Sequence, residues 1–126
     1  VGAPWLDAAA VVKRLRAADL PGVEFSVEKT SPTKSVFEGV LSNGVRMRVT
    51  DRDALKPVQL WAHFAAALRD LHPQDFKIDA QRLPLFVGTR AFVERFEAGA
   101  PVAELEAALE EGLPGFKARR AAFLLY

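Results

Sequence analysis

The sequence contains no cysteine, which excludes disulfides, thiolate metal sites and cysteine nucleophiles while leaving the redox compartment open. Long apolar runs are missing too: charge interrupts every one well short of the roughly 18 residues a membrane-spanning helix needs, so no membrane partner is expected. Neither sign of charge is in excess, since 17 basic and 16 acidic side chains leave a formal net charge of +1. Nothing in that balance draws the chain to phosphate backbones, and nucleic acid is not an expected partner. No basic, apolar, small-residue order marks a signal peptide at Val1, and no initiator methionine opens the chain. That start reads as an excised or processed segment of something longer.

Catalytic patterns are equally scarce. His63 and His72 are nine residues apart, which is not the i, i+4 spacing of a helical metal pair; both read as structural, and neither a metal nor a cofactor is expected. No Gly-x-Ser-x-Gly turn and no phosphate-cradling glycine pattern occurs. A glycosidase needs two carboxylates within reach of one bond, yet the loop acids Asp51, Asp53, Asp75 and Asp79 have no diagnostic neighbours. Asp51 and Asp53 read as turn caps. Trp5 and Trp61 have faces that suit a sugar ring, but packing in a core or interface is the better reading, with Trp5 near a junction to a preceding domain.

What is present describes one globular domain over residues 1–126, half apolar and about a quarter charged. Asp7 caps a helix with Val11, Val12, Leu15 and Leu20 on its apolar side, ended by Pro21-Gly22. Val23 to Lys29 alternates as a half-buried strand with Val23, Phe25 and Val27 inward. Ser35–Ser42 and Val45–Thr50 flank Asn43-Gly44, which predicts a hairpin with a type I′ turn and a bulge at Gly39. Pro57 opens a helix with Leu60, Phe64, Ala67, Leu68 and Leu71 on one face, stopped at His72-Pro73. Residues 74–88 read as loop or short turns. Thr89 caps a helix burying Phe92, Val93 and Phe96, and Pro101 opens another with Val102, Leu105, Leu109, Leu113, Phe116 and Phe123 near one stripe, split near Gly112. Strands and helices do not alternate as βαβ units, so the expected class is α+β: a small antiparallel sheet of about three strands packed against several helices. Its edges invite cover by another domain.

Four stretches together resemble a known family. They are Gly2-Ala3-Pro4-Trp5 with Asp7; Leu20-Pro21-Gly22-Val23; Ser31-Pro32-Thr33 to Gly39, leading into Gly44-Val45 and Val49-Thr50-Asp51-Arg52; and Gly88-Thr89, closed by Arg119 and Phe123-Leu124-Leu125-Tyr126. In order and spacing they are similar to the C-terminal domain of the NamZ-type exo-β-N-acetylmuramidases, bacterial glycoside hydrolases long known as a domain of unknown function. The sequence departs from the family pattern at Ser42, where a cysteine is frequent, at Val36, which follows Ser35 where Lys-aromatic is usual, and at Trp61, where a small glycine is expected.

The resemblance implies a two-domain enzyme. An upstream Rossmann-like domain would supply the catalytic carboxylate, and residues 1–126 would be the accessory domain that closes the cleft over terminal N-acetylmuramic acid. The partners so implied are that catalytic domain and a muropeptide or amino-sugar ligand, in the periplasm or outside the cell, in cell wall turnover. The cleft-facing polar groups would be Thr33, Ser35, Thr50, Asp51, Arg52 and Thr89, with no catalytic residue among them. A guanidinium suits the lactyl carboxylate of muramic acid. The alternative reading is a non-catalytic protein-interaction module that docks through a sheet edge.

Overall fold

Asp7 begins the first helix as its neighbours predict: its Oδ1 accepts from the Ala10 amide at 3.0 Å, satisfying one of the donors that a helix start leaves open. The computed structural model describes residues 1–34 and 36–124, in two compact units, Val1–Lys77 and Ile78–Tyr126. The first unit holds β1 (Gly2–Ala3), α1 (Ala8–Ala17), β2 (Val23–Thr30), β3 (Ser42–Val49) and α2 (Pro57–Leu71). The three strands form an antiparallel sheet in the order β1-β3-β2, so the α+β class with a small antiparallel sheet holds.

Helix α1 lies on β2 and β3 and also packs against α2. Val11, Val12 and Leu15 of α1 meet Val23 and Phe25 of β2, Val45 of β3 and Phe64, Ala67 and Leu68 of α2 in one buried cluster. The alternation of β2 predicts Val27 inward with Val23 and Phe25, but it is half exposed. It lies on an edge strand, and within the β2–β3 pair burial on this face is limited to Val23, Phe25 and Val45, leaving Val27, Met47 and Val49 outside. Arg14 of α1 donates to Asp70 of α2 across the helix pair, and Arg69 donates to the same carboxylate from within α2. Burial pushes the Asp70 carboxyl up, but the hydrogen bonds from Arg69 and Arg14 outweigh it and hold the group below its ordinary range. This stabilisation is present above the usual carboxylate range and is lost as pH falls through the lowered value; the groups are partly exposed, so it stays below about 1 kcal/mol.

The predicted Asn43-Gly44 turn is the main correction. Both residues sit inside β3, Asn43 opposite Lys29 and Gly44 opposite Glu28, and the real connection is the longer loop 31–41. That loop is closed by the Gly39 amide donating to Pro32 O at 2.8 Å; it contains no strand among its described residues, and Ser35 lies outside them. The reason lies in β1. Gly2 stands opposite Gly44, and a Cβ on Gly2 would fall 2.7 Å from Asn43 O and 3.1 Å from the Gly44 Cα. Here glycine permits two backbones to approach, a tertiary demand that overrides the local turn preference of Asn-Gly.

The second unit is helical: α3 (Leu83–Val87), α4 (Arg90–Glu97), α5 (Val102–Glu110) and α6 (Leu113–Ala121). Thr89 Oγ1 accepts from the Ala91 amide at 3.2 Å, the predicted cap of α4. Phe92 and Phe96 stack at 5.9 Å and are buried with Val93, Leu105 and Ala108. Arg95 ties α4 to α5 by donating to Glu104 O at 3.1 Å. The split near Gly112 occurs as expected, at a left-handed φ of 78°, but it ends the apolar stripe as well. Leu113, Phe116 and Phe123 are exposed, because the left-handed residue breaks the helical phase that would have aligned them with Leu105.

Candidate functional site

The link Leu20-Pro21-Gly22-Val23 and the stretch Thr50-Asp51-Arg52 meet in space, because Val23 and Val49 are partners at one end of the β2–β3 ladder. Gly22 O accepts from the Thr50 amide at 2.9 Å and from the Asp51 amide at 3.3 Å. Gly22 has a φ of +72°, and a Cβ there would lie 2.3 Å from Asp51 O and 2.8 Å from the Leu55 amide nitrogen. Two independent demands, the left-handed backbone and the close approach, therefore require glycine.

Asp51 shapes the turn itself. Its Oδ1 accepts from the amides of Asp53 at 2.9 Å and Ala54 at 3.2 Å, and its carbonyl accepts from the Leu55 amide at 3.2 Å. This is the turn-capping role expected of it. Asp53 only donates its backbone amide, and its carboxylate caps nothing among the described residues. Arg52 is held on this rigid turn with its side chain exposed, and among the described residues its guanidinium has neither a hydrogen bond nor an ion pair. The Thr50 hydroxyl is likewise unengaged among them.

The remaining candidates lie elsewhere. Thr33 is exposed in loop 31–41, at the opposite end of the ladder from Thr50. Seven strand steps separate the two ends by roughly 23 Å, so Thr33 and the Thr50-Asp51-Arg52 turn do not form one cluster. Ser35 lies outside the described residues. Thr89 belongs to the second unit, where its hydroxyl is used as the helix cap.

His72 has a structural task. It is buried, its Nε2 accepts from the Asp7 amide at 3.2 Å, and its ring stands 5.2 Å from that of half-buried Trp5. It thereby joins the start of α1 to the end of α2. No group of three His, Cys, Asp or Glu among the described residues is placed to hold a metal ion. Residue spacing gave no hint of a groove of about 450 Å³ beside β2, lined by Arg16, Asp19, Glu24, Ser26, Arg46 and Arg48 among others. Its three guanidinium groups are already engaged: Arg16 donates to Phe25 O, Arg46 to Glu28 and Arg48 to Glu24. The Glu28 hydrogen bond holds the Arg46 pKa above its ordinary value. Arg52, by contrast, stands on the turn that rests on Gly22, with no partner for its guanidinium among the described residues.

Comparison with known proteins extends over the whole chain. The peptidoglycan β-N-acetylmuramidase NamZ of Bacillus subtilis (strain 168) is 29% identical over 127 residues, a stretch that covers 100% of this chain and 31% of that protein. The crystal structure of a DUF1343 family protein from Bacteroides fragilis NCTC 9343 matches with a TM-score of 0.84 at 21% identity, covering 99% of this chain and 34% of that one. That second likeness speaks for the fold. The chain spans about a third of the length of these relatives. The family model described as exo-beta-N-acetylmuramidase NamZ, C-terminal, matches residues 1–126, and the chain belongs to that family.

Proposed function

We propose that residues 1–126 form the accessory, cleft-lining domain of a bacterial exo-β-N-acetylmuramidase-like glycoside hydrolase that acts on peptidoglycan fragments. The observation that carries this reading is the exposed Arg52 guanidinium, unengaged among the described residues, on a turn fixed by Asp51 and Gly22. A positioned guanidinium can bind a carboxylate through two parallel hydrogen bonds, and the lactyl group of muramic acid supplies one. Thr50 adds a hydroxyl beside it. The chemistry would belong to a carboxylate elsewhere in the longer polypeptide: of the two acids that flank Arg52, Asp51 is committed to backbone amides, and Asp53 alone is not the pair of placed carboxyl groups that glycoside cleavage needs. A cell-wall substrate implies a periplasmic or extracellular setting and a role in cell wall turnover.

In the longer polypeptide, Arg52→Ala is expected to weaken binding of an N-acetylmuramic acid ligand by about tenfold or more while leaving the N-acetylglucosamine counterpart within about twofold. The lost contact exists only for the sugar that owns the carboxylate. Because Arg52 supports nothing in the described fold, the melting temperature should stay unchanged. Isothermal titration with both sugars and a thermal scan check this, and an equal loss for both sugars would remove Arg52 from the site.

A further inference from the structure

Strand β1 has only two residues, yet its pairing does not stop at them. The Val1 amino group donates to Val45 O at 3.1 Å, and the Val45 amide donates to Val1 O at 2.8 Å. This reciprocal exchange is a hydrogen-bonded pair of an antiparallel ladder, with Gly2 opposite Gly44 as the close pair next to it. Beyond Val45, residues 46 to 49 of β3 pair with β2 on one side, and no described strand pairs with them on the other. The ladder's alternation turns the backbone groups of Met47 and Val49 toward that open side, as it does those of Val45. The side chains of Met47 and Val49 are 38% and 49% exposed, on the face they share with buried Val45.

An open edge that long is a template for another strand. Antiparallel β1 runs so that any residue preceding Val1 travels alongside Arg46, Met47, Arg48 and Val49 in turn. The family model is a C-terminal one, and the relatives are about three times as long as this chain. We propose that, in the full-length polypeptide, the residues directly before Val1 extend β1 along β3 from Arg46 to Val49, so that the preceding region joins this domain through a sheet strand. The register follows from the Val1–Val45 pair. The first and third residues before Val1 lie opposite Arg46 and Arg48, and polar or acidic side chains suit them. The second and fourth share the face of Met47 and Val49, and apolar side chains there cover those two.

The test uses the full-length polypeptide. Hydrogen exchange resolved to single amides should show Met47 and Val49 protected at least tenfold over open-edge amides, to the level of Val45. A cysteine in place of the residue before Val1, combined with Arg46→Cys, places two thiols in a non-hydrogen-bonded pair whose Cα separation of about 4.5 Å accepts a disulfide. That disulfide should form on mild oxidation, whereas the same cysteine with Met47→Cys, whose side chain points to the other face, should not react. Peptide mass spectrometry reads the linkage, and protection at Val45 confirms that each variant is folded. Unprotected Met47 and Val49 amides would overturn the proposal. Protection without the disulfide to position 46 would overturn it as well, because another segment would then cover the edge.

Discussion

A Gly22→Val protein is expected to lose about 3 to 5 kcal/mol of stability, enough to threaten folding of a typical domain. One part is backbone strain, because Gly22 sits at φ +72°, where a β-branched residue costs about 1 to 3 kcal/mol. The other is steric. The new Cβ would lie 2.3 Å from Asp51 O, a backbone atom that cannot swing aside, and overpacking of that kind costs about 1 to 3 kcal/mol more. Gly22→Ala meets the same atom and should lose somewhat less. Urea midpoints of the three proteins check the order, and a Gly22→Val midpoint equal to that of the parent would mean that the turn at 50–55 does not rest on Gly22.

Phe92→Ala should cost about 3 to 5 kcal/mol, the usual range for emptying a buried aromatic site. Phe92 is fully buried and stacks on Phe96. Phe116→Ala provides the contrast: the ring is 50% exposed on α6, which buries no residue, and its loss should stay below about 1 kcal/mol. Calorimetric unfolding of both proteins separates the observed packing from the continuous stripe that periodicity predicts. Comparable losses for the two would restore Phe116 to the core.

Much of this fold can be read locally, because the signals are local in origin. Asp7, Thr89 and Pro57 mark helix starts through their own side chains, and each marks one here. The alternation of Val23 and Phe25 gives β2 its inward face. What misleads is sequence whose role is set at a distance. Asn43-Gly44 has the chemistry of a turn, but Gly44 is glycine because β1, some forty positions earlier, passes over it. Phe116 keeps the spacing of Leu105 but not its environment, since one left-handed residue at Gly112 resets the helical phase.

The candidate site divides in the same way. The motif pieces that carry the family resemblance serve two purposes that a linear string does not separate. Gly2 with Gly44, and Gly22 with Asp51, are contacts that hold the fold. Arg52 and the Thr50 hydroxyl are held by those contacts and engage nothing themselves among the described residues. Thr33 resembles the other candidates in type and in loop context, but the β2–β3 ladder sets it at the far end. Thr89 is already used as a helix cap. Residue type and spacing indicate polarity and turn formation; only the strand register shows which polar groups share a surface.

Whether residues 1–126 line a cleft for chemistry performed elsewhere is tested most directly by turnover of a chromogenic N-acetylmuramic acid glycoside. The chain alone, shown to be folded by circular dichroism, is compared with the longer polypeptide. The expected result is no release above the buffer blank for the chain alone and clear release for the longer polypeptide, because the Asp51 carboxylate is held by the amides of Asp53 and Ala54 and glycoside cleavage needs two placed carboxyl groups. Release by the chain alone that disappears with Asp51→Asn or with Asp53→Asn would contradict it, and would move the catalytic centre into this domain.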